Sequence, residues 1–233
     1  MRIDLVVFDM AGTTVYDGDA VNACFRAALA AAGLAVDAAA VNAVMGLPKP
    51  EAIRRLIEAS TSPTVAHVDV AVIHTDFVAR MSRYYATDPG VHEMPGASAT
   101  FAALRRAGIK VALNTGFSRP ITRVLLERLG WSGVNPPVNA TVTSDEVRRG
   151  RPYPDMIHDL MRRFGITDAA RVAKVGDTPT DLEEGTNAGC GLVIGVTNGT
   201  HSRVQLESYP HIHLVDSVAD VPRILGIADT DCH

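Results

Sequence analysis

The chain is short of several things at once, and each shortage removes a class of function. Cysteine is scarce: Cys24, Cys190 and Cys232 are widely spaced and fit no metal-ligand pattern, which excludes a disulfide framework and a zinc site. A basic excess is absent, since 22 Lys and Arg stand against 26 Asp and Glu for a net charge of −4. That leaves no footprint for nucleic acid or an anionic membrane. Aromatics are 5% of the residues, with Trp131 the single tryptophan; they read as core or loop packing and offer no stacking platform for bases. No apolar run reaches membrane-spanning length. The stretch from Met1 to Asp9 is too short for a secretory signal and reads as a buried strand. The eight histidines show no ligand spacing, and His211 and His213, alternating on a late strand, read as structural. A soluble cytoplasmic protein, monomeric or homodimeric, is the expectation.

What is present is a rhythm. The 233 residues, 47% hydrophobic, suffice for one large domain or for a core with a smaller insert. Short continuous apolar runs occur at Leu5 to Phe8, Ile109 to Leu113, Ala140 to Thr143, Val172 to Val175, Leu192 to Val196 and Ile212 to Val215. Helical patterns such as Ala97 to Ala107 and Thr122 to Leu129 lie between them. Runs apolar on both faces that alternate with helices predict an α/β fold with a doubly wound, mostly parallel sheet. The first two runs break the rhythm, because the stretch between them is far longer than an ordinary crossover. It is helical in pattern: Val21 to Ala32, Pro50 to Ala59 and a long amphipathic candidate from Val65 to Tyr85. Gly18 and the Met94-Pro95-Gly96 turn are natural hinges. The expected organisation is a core of residues 1–18 and 92–233 with a helical domain, 19–91, inserted after the first strand.

Ligands of such sheets bind at the carboxyl ends of the strands, and polar residues follow four of these runs. The first ends at Asp9, followed by Ala11, Gly12, Thr13 and Thr14. A carboxylate there can attack phosphorus and form an acyl phosphate, splitting one hard step into two. Taken alone, Asp9 is equally suited to capping the next turn. The second run leads to Asn114-Thr115-Gly116, a hydroxyl placed for a phosphate oxygen, or a plain Thr-Gly turn. Arg151, in the stiff loop Gly150-Arg-Pro-Tyr-Pro154, is a fixed cation able to neutralise a phosphoryl group, or part of a solvated basic loop. Asp177 and Asp181 follow the fourth run on the turn into a helix, suited to a hard cation or to capping.

The order of these four sites resembles the four-motif order of the haloacid dehalogenase superfamily. Asp9-Met-Ala-Gly-Thr-Thr14, Met45-Gly-Leu-Pro-Lys49, Gly150-Arg-Pro-Tyr-Pro154 and Lys174-Val-Gly-Asp-Thr178 are similar to its phosphonatase-like branch. The resemblance runs nearly the full length. It implies a hydrolase with an inserted helical cap of the C1 type, acting on a small phosphorylated or phosphonate substrate through Asp9. It further implies Thr115 and Arg151 as catalytic partners and Gly12, Thr13 and Gly116 around the substrate. One Mg²⁺ would be held by Asp9, the Ala11 carbonyl and Asp177, with Asp181 acting from the outer shell.

Two features narrow the reading. Most superfamily phosphatases carry a leaving-group acid two residues after the nucleophile, where this chain has Ala11. The cap lysine of phosphonatase forms a Schiff base with its aldehyde substrate, and Lys49 matches it. Phosphonatase has a His three residues after that lysine, a Tyr after the Thr-Gly and a Cys early in the cap; here these are Ala52, Phe117 and Asp19. Three readings follow. One is a phosphatase in which Asp19 or substrate-borne chemistry replaces the missing acid and Lys49 binds an anionic group. Another is a C–P hydrolase using Lys49. The last is an inactive phosphate-binding or interaction protein, against which the intact motifs argue. A surface salt bridge is the plain alternative for Lys49.

Overall fold

Runs apolar on both faces become strands because only a sheet covered on both sides can bury them. In the computed structural model, which describes residues 2–60 and 69–227, they form β1 (Leu5–Phe8), β2 (Lys110–Thr115), β3 (Ala140–Thr143), β4 (Val172–Gly176), β5 (Leu192–Val196) and β6 (His213–Val215). All pair in parallel, in the order β3-β2-β1-β4-β5-β6, the doubly wound sheet that the sequence predicts. β1 is central. Its Phe8 pairs with Leu113 of β2 and Val175 of β4, so the three strands deliver their following residues, Asp9, Asn114 and Gly176, to one edge.

Alternate side chains face opposite layers, as strand pleating requires. Val6, Phe8, Val111 and Leu113 join one buried cluster. Leu5, Val7, Ala112 and Val142 join the other, with Met156, Ile157 and Leu160 of the helix Asp155–Phe164. Each such side chain, once fully buried, contributes roughly 1.5–3 kcal/mol.

Among the described residues, four helices follow β1 before the one that leads into β2: α1 (Ala20–Ala31), α2 (Ala38–Asn42), α3 (Lys49–Glu58) and α4 (Val70–Thr87). The amphipathic candidate from Val65 thus has its first four positions outside the described residues. Then come α5 (Ala97–Arg106), α6 (Arg119–Arg128), α7 (Asp155–Phe164), α8 (Pro179–Asn187), and the short α9 (Arg203–Leu206) and α10 (Val221–Ile224). Helices α3 and α6 begin earlier than the apolar periodicity suggests. Pro50 and Pro120 lie in their first turns, where a missing N–H costs nothing. His211 precedes β6, and His213 on it is exposed, so neither alternates along a buried strand.

The inserted helices are joined to the sheet by apolar contact. Phe25 of α1 meets Phe77 of α4 at 5.2 Å between ring centroids, Phe77 meets Phe117 at 6.4 Å, and Phe117 meets Tyr85 at 6.0 Å. Phe117 follows β2, so this chain of rings ties insert to core, each pair adding roughly 0.5–1.5 kcal/mol beyond its buried area. Phe101 is wedged between Phe8 and Trp131, and Trp131 is core, as expected.

Candidate active site

Asp9 emerges from β1 into the gap between β2 and β4, and its backbone N–H donates to the Val175 carbonyl at 2.9 Å. Its carboxylate is buried and accepts an ion pair from Arg151 Nη1 at 2.7 Å. Burial pushes the Asp9 carboxyl above the usual range, with Arg151 and Lys174 opposing and Asp181 adding to the rise.

Arg151 is not a solvated loop residue. It is fully buried and clamped on several sides. Nε reaches Glu184 Oε2 at 3.1 Å, Nη1 reaches Asp181 Oδ1 at 3.0 Å, and Nη2 donates to the carbonyl and Oδ1 of Asn114 at 2.8 and 2.7 Å. Lys174, in the middle of β4, completes this network at 2.8 Å from Asp181 Oδ1, 3.3 Å from Glu184 Oε2 and 2.7 Å from Asn114 Oδ1. A buried charge needs such partners. Asn114 Nδ2 returns hydrogen bonds of 2.9 and 2.8 Å to the two Glu184 oxygens. Sequence reasoning did not single out Asn114, Lys174 and Glu184 as partners of Arg151, although a lysine within the apolar run Val172 to Val175 is itself a signal.

The paired-Asp loop divides its labour. Thr178 caps α8 in a reciprocal box with Asp181, whose Oδ2 accepts from the Thr178 N–H at 3.2 Å and from its hydroxyl. Burial opposes ionisation of Asp181, but Arg151 and Lys174 hold its carboxyl below the ordinary value. Asp177 accepts from Thr13 Oγ1 and from the Thr200 N–H, both at 2.7 Å. Burial first, then the neighbouring Asp9 and Asp181, lift it to about 7. Gly12 presses against Asp177: a Cβ there would lie 2.3 Å from Oδ2, and φ is +88°.

Asp9, Asp177 and Asp181 each offer an oxygen within 4.8 Å of the others. An all-carboxylate cluster whose Asp9 and Asp177 resist ionisation, first through burial and then through neighbouring carboxylates, has the chemistry of a hard divalent cation site. These residues fit such an ion.

Beside the cluster lies a cavity lined by Asp9, Ala11, Asp17, Lys49, Thr115, Gly116, Phe117, Arg151, Thr178 and Thr200, among others. Thr115 accepts from the Phe117 N–H at 3.1 Å, and its hydroxyl lines the cavity. Gly116 lines it too, but its missing Cβ has a further reason. A Cβ would stand 2.8 Å from the carbonyls of Gly46 and Leu47, the loop by which the insert touches the core.

Lys49 is no surface ion-pair residue. It is buried, its Nζ is 3.8 Å from the Met45 sulfur, and it stands over the rings of Phe25, Phe77 and Phe117 at 5.5, 5.8 and 5.7 Å. Burial lowers it to about 8, with Arg151 also lowering and Asp17 and Asp9 opposing. Three sequence-derived positions fall elsewhere than expected. Thr13 and Gly12 face Asp177 and do not line this cavity, and Asp19 is exposed and lines only the adjoining outer cleft. A left-handed backbone at Asp19, φ 66°, starts α1 and turns that residue away. The carboxylate that lines the cavity besides Asp9 is Asp17, which the sequence alone could not separate from Asp19.

A central parallel sheet with a carboxylate at the tip of its first strand, a buried arginine against it and a paired-Asp loop beside it defines a hydrolase of the haloacid dehalogenase type. The model of the haloacid dehalogenase-like hydrolase family matches residues 3–189, and the chain belongs to that family. Within it, the phosphonoacetaldehyde hydrolase of Bacillus cereus is 29% identical over 238 residues, spanning 94% of this chain and 86% of the relative. The enzyme of that name from Latilactobacillus sakei is 29% identical over 244 residues, spanning 98% and 90%. In fold, a phosphonoacetaldehyde hydrolase like protein from Oleispira antarctica matches with a TM-score of 0.83 at 24% identity, over 97% of this chain and 92% of that one. No helix among the described residues is long and apolar enough to cross a membrane.

Proposed function

We propose that this hydrolase removes phosphate from a small organic phosphate monoester through a phosphoaspartate on Asp9, with Mg²⁺ as its metal. The observation that carries this reading is the Asp9 carboxylate at the β1 tip, 2.7 Å from Arg151 Nη1 and facing the cavity. Asp9 forms the bond to phosphorus, and water later releases phosphate from the acyl phosphate. The Thr115 hydroxyl contacts the phosphoryl oxygens, Arg151 neutralises charge from beside Asp9, and the buried Glu184 and Asn114 hold Arg151 in place, with Lys174 bonded to both. Asp9, the Ala11 carbonyl and Asp177 would hold Mg²⁺, which supplies charge neutralisation for the phosphoryl group. Asp181, engaged at both oxygens by Arg151, Lys174 and Thr178, acts from outside that set. Residues 19–91 serve as the cap that brings Lys49 over Asp9.

Lys49 then binds a second anionic group of the substrate. The three rings around it favour the ammonium form, and Ala52, Phe117 and Met45 nearby carry no proton that imine formation could use. A second reading has its own support: burial brings Lys49 to about 8, close enough to neutrality to attack an aldehyde, and the relatives above are C–P hydrolases by name. A screen of phosphate monoesters and phosphonoacetaldehyde, with Mg²⁺ and with EDTA, separates the two. Magnesium-dependent phosphate release from esters, without a borohydride-trapped adduct on Lys49, is the expected result. Acetaldehyde and phosphate from phosphonoacetaldehyde, with a trapped adduct, would replace the first reading with the second.

A further inference from the structure

Ala11 stands two residues after the nucleophile and cannot carry a proton, so an ester hydrolysed at Asp9 needs its leaving-group acid from elsewhere. We propose that Asp17 is that acid, donating to the leaving oxygen when Asp9 attacks phosphorus and taking a proton from water in the second half. This rests on the phosphate-ester reading above.

The cavity lining leaves few candidates. Arg151 cannot give up its proton at working pH, and its five donors are directed at Asp9, Asp181, Glu184 and Asn114. The hydroxyls of Thr115, Thr178 and Thr200 are too weakly acidic. Asp17 and Lys49 remain. Position separates them, because Asp17, together with Met45 and Thr200, lines both the inner cavity and the outer cleft. It therefore sits where a leaving group departs towards solvent, whereas Lys49 lies at the ring-lined inner wall.

The carboxyl is also free to act. Its one hydrogen bond among the described residues is the Val21 N–H, shared at 3.3 Å with both oxygens, a long contact for a helix cap. Burial above all lifts Asp17 to about 6, with Asp19 and Asp9 adding and the Val21 N–H and Lys49 opposing. A value near neutrality serves a group that must give a proton in one half and take one in the other.

The steps balance. First an Asp9 oxygen bonds to phosphorus, the ester P–O bond breaks, and the departing oxygen takes the Asp17 proton. Then water oxygen bonds to phosphorus, the Asp9–phosphorus bond breaks, and the Asp17 carboxylate takes the water proton, restoring both groups.

The test compares leaving groups in rapid-quench single turnovers of the magnesium-loaded enzyme. Para-nitrophenyl phosphate releases a stable phenolate that needs little protonation, while ethyl phosphate releases an alkoxide that needs it fully. In Asp17→Asn the nitrophenolate burst should slow less than tenfold, and ethyl ester cleavage should slow about 100-fold or more, the usual scale of acid catalysis. Asp17→Glu should recover at least tenfold of that loss. If Asp17→Asn does not fold, Asp17→Ser, which keeps an acceptor for Val21, carries the same comparison. Equal losses on both esters, no loss on either, or a leaving-group-selective loss in Lys49→Met instead would overturn the assignment to Asp17 while the phosphatase reading stands. A wild-type enzyme that releases phosphate from neither ester would overturn both together.

Discussion

Glu184 touches neither cavity nor surface, yet the network makes its replacement costly. In Glu184→Gln the shape is kept but one oxygen becomes an amide donor. Glu184 accepts from Arg151 Nε at 3.1 Å, from Asn114 Nδ2 at 2.9 and 2.8 Å, and from Lys174 Nζ at 3.3 Å. With one acceptor left, at least one of these donors must face another donor, and two buried cations share one fewer counter-charge. Breaking a buried ion pair costs about 3–5 kcal/mol. Asp181 and Asn114 still serve both cations, so the lower end applies, about 3 kcal/mol. For a chain of this size each kcal/mol moves the melting temperature by about 2–4 °C, which gives a fall of about 6–12 °C. Calorimetry on Glu184→Gln, with the neighbouring Glu183→Gln as control, measures it. The control should shift by no more than about 0.5 kcal/mol, as a substitution outside the network does. A drop under 2 °C in Glu184→Gln would refute the view that this carboxylate neutralises Arg151 and Lys174.

Three further outcomes are expected. Asp9→Asn should abolish turnover yet melt within a few degrees of the wild type, since burial already disfavours the charged Asp9 carboxyl; retained turnover would remove Asp9 as the nucleophile. Gly12→Ala should lose at least tenfold in activity and destabilise the fold by about 1–2 kcal/mol, because its methyl would collide with Asp177 Oδ2 at a left-handed φ; wild-type behaviour would show that Asp177 is free to move. Lys49→Met should stabilise the protein by about 2–3 kcal/mol near pH 7. The folded value of about 8 lies below the ordinary 10.5, so between these the unfolded chain holds the proton more tightly and wild-type stability rises with pH. The gain in the variant should therefore shrink from pH 8 to 10.5; a constant gain would mean that Lys49 is charged without penalty.

The sheet was legible because its strands are apolar on both faces, a pattern that few other arrangements can bury. Asp9, Thr115 and the Asp177–Asp181 pair were legible for a related reason: they interrupt or end those runs at one edge, where backbone and topology, more than side-chain detail, fix position. Residues whose meaning depends on orientation were not. Asp17 and Asp19 flank one glycine and are chemically identical, and only the left-handed turn at Asp19 decides which carboxylate reaches the cavity. Lys49 kept a surface salt bridge as its plain alternative until Phe25, Phe77 and Phe117, drawn from three distant segments, were seen to surround it. Glu184 looked like one more helix acid, since nothing in Asp181-Leu-Glu-Glu184 marks which glutamate faces β4.

The charges at the strand edge connect stability to chemistry. Among the described residues, four buried carboxylates, Asp9, Asp177, Asp181 and Glu184, lie with two buried cations in ion-pair contact, Arg151 and Lys174, while the third buried cation, Lys49, pairs with none of them. The mismatch is unevenly spread. Asp181 lies against both cations and is held ionised, while Asp177, which neither cation contacts, is lifted to about 7. The shortfall of positive charge is thus concentrated between Asp9 and Asp177, where a divalent cation would offset it, and folding alone does not relieve it. Burial of Lys49 at the opposite wall is costly in the other sense, an unpaired cation among phenyl rings. A negatively charged substrate entering between them would relieve that strain, so the residues least comfortable in the empty fold are those suited to holding metal and anion together.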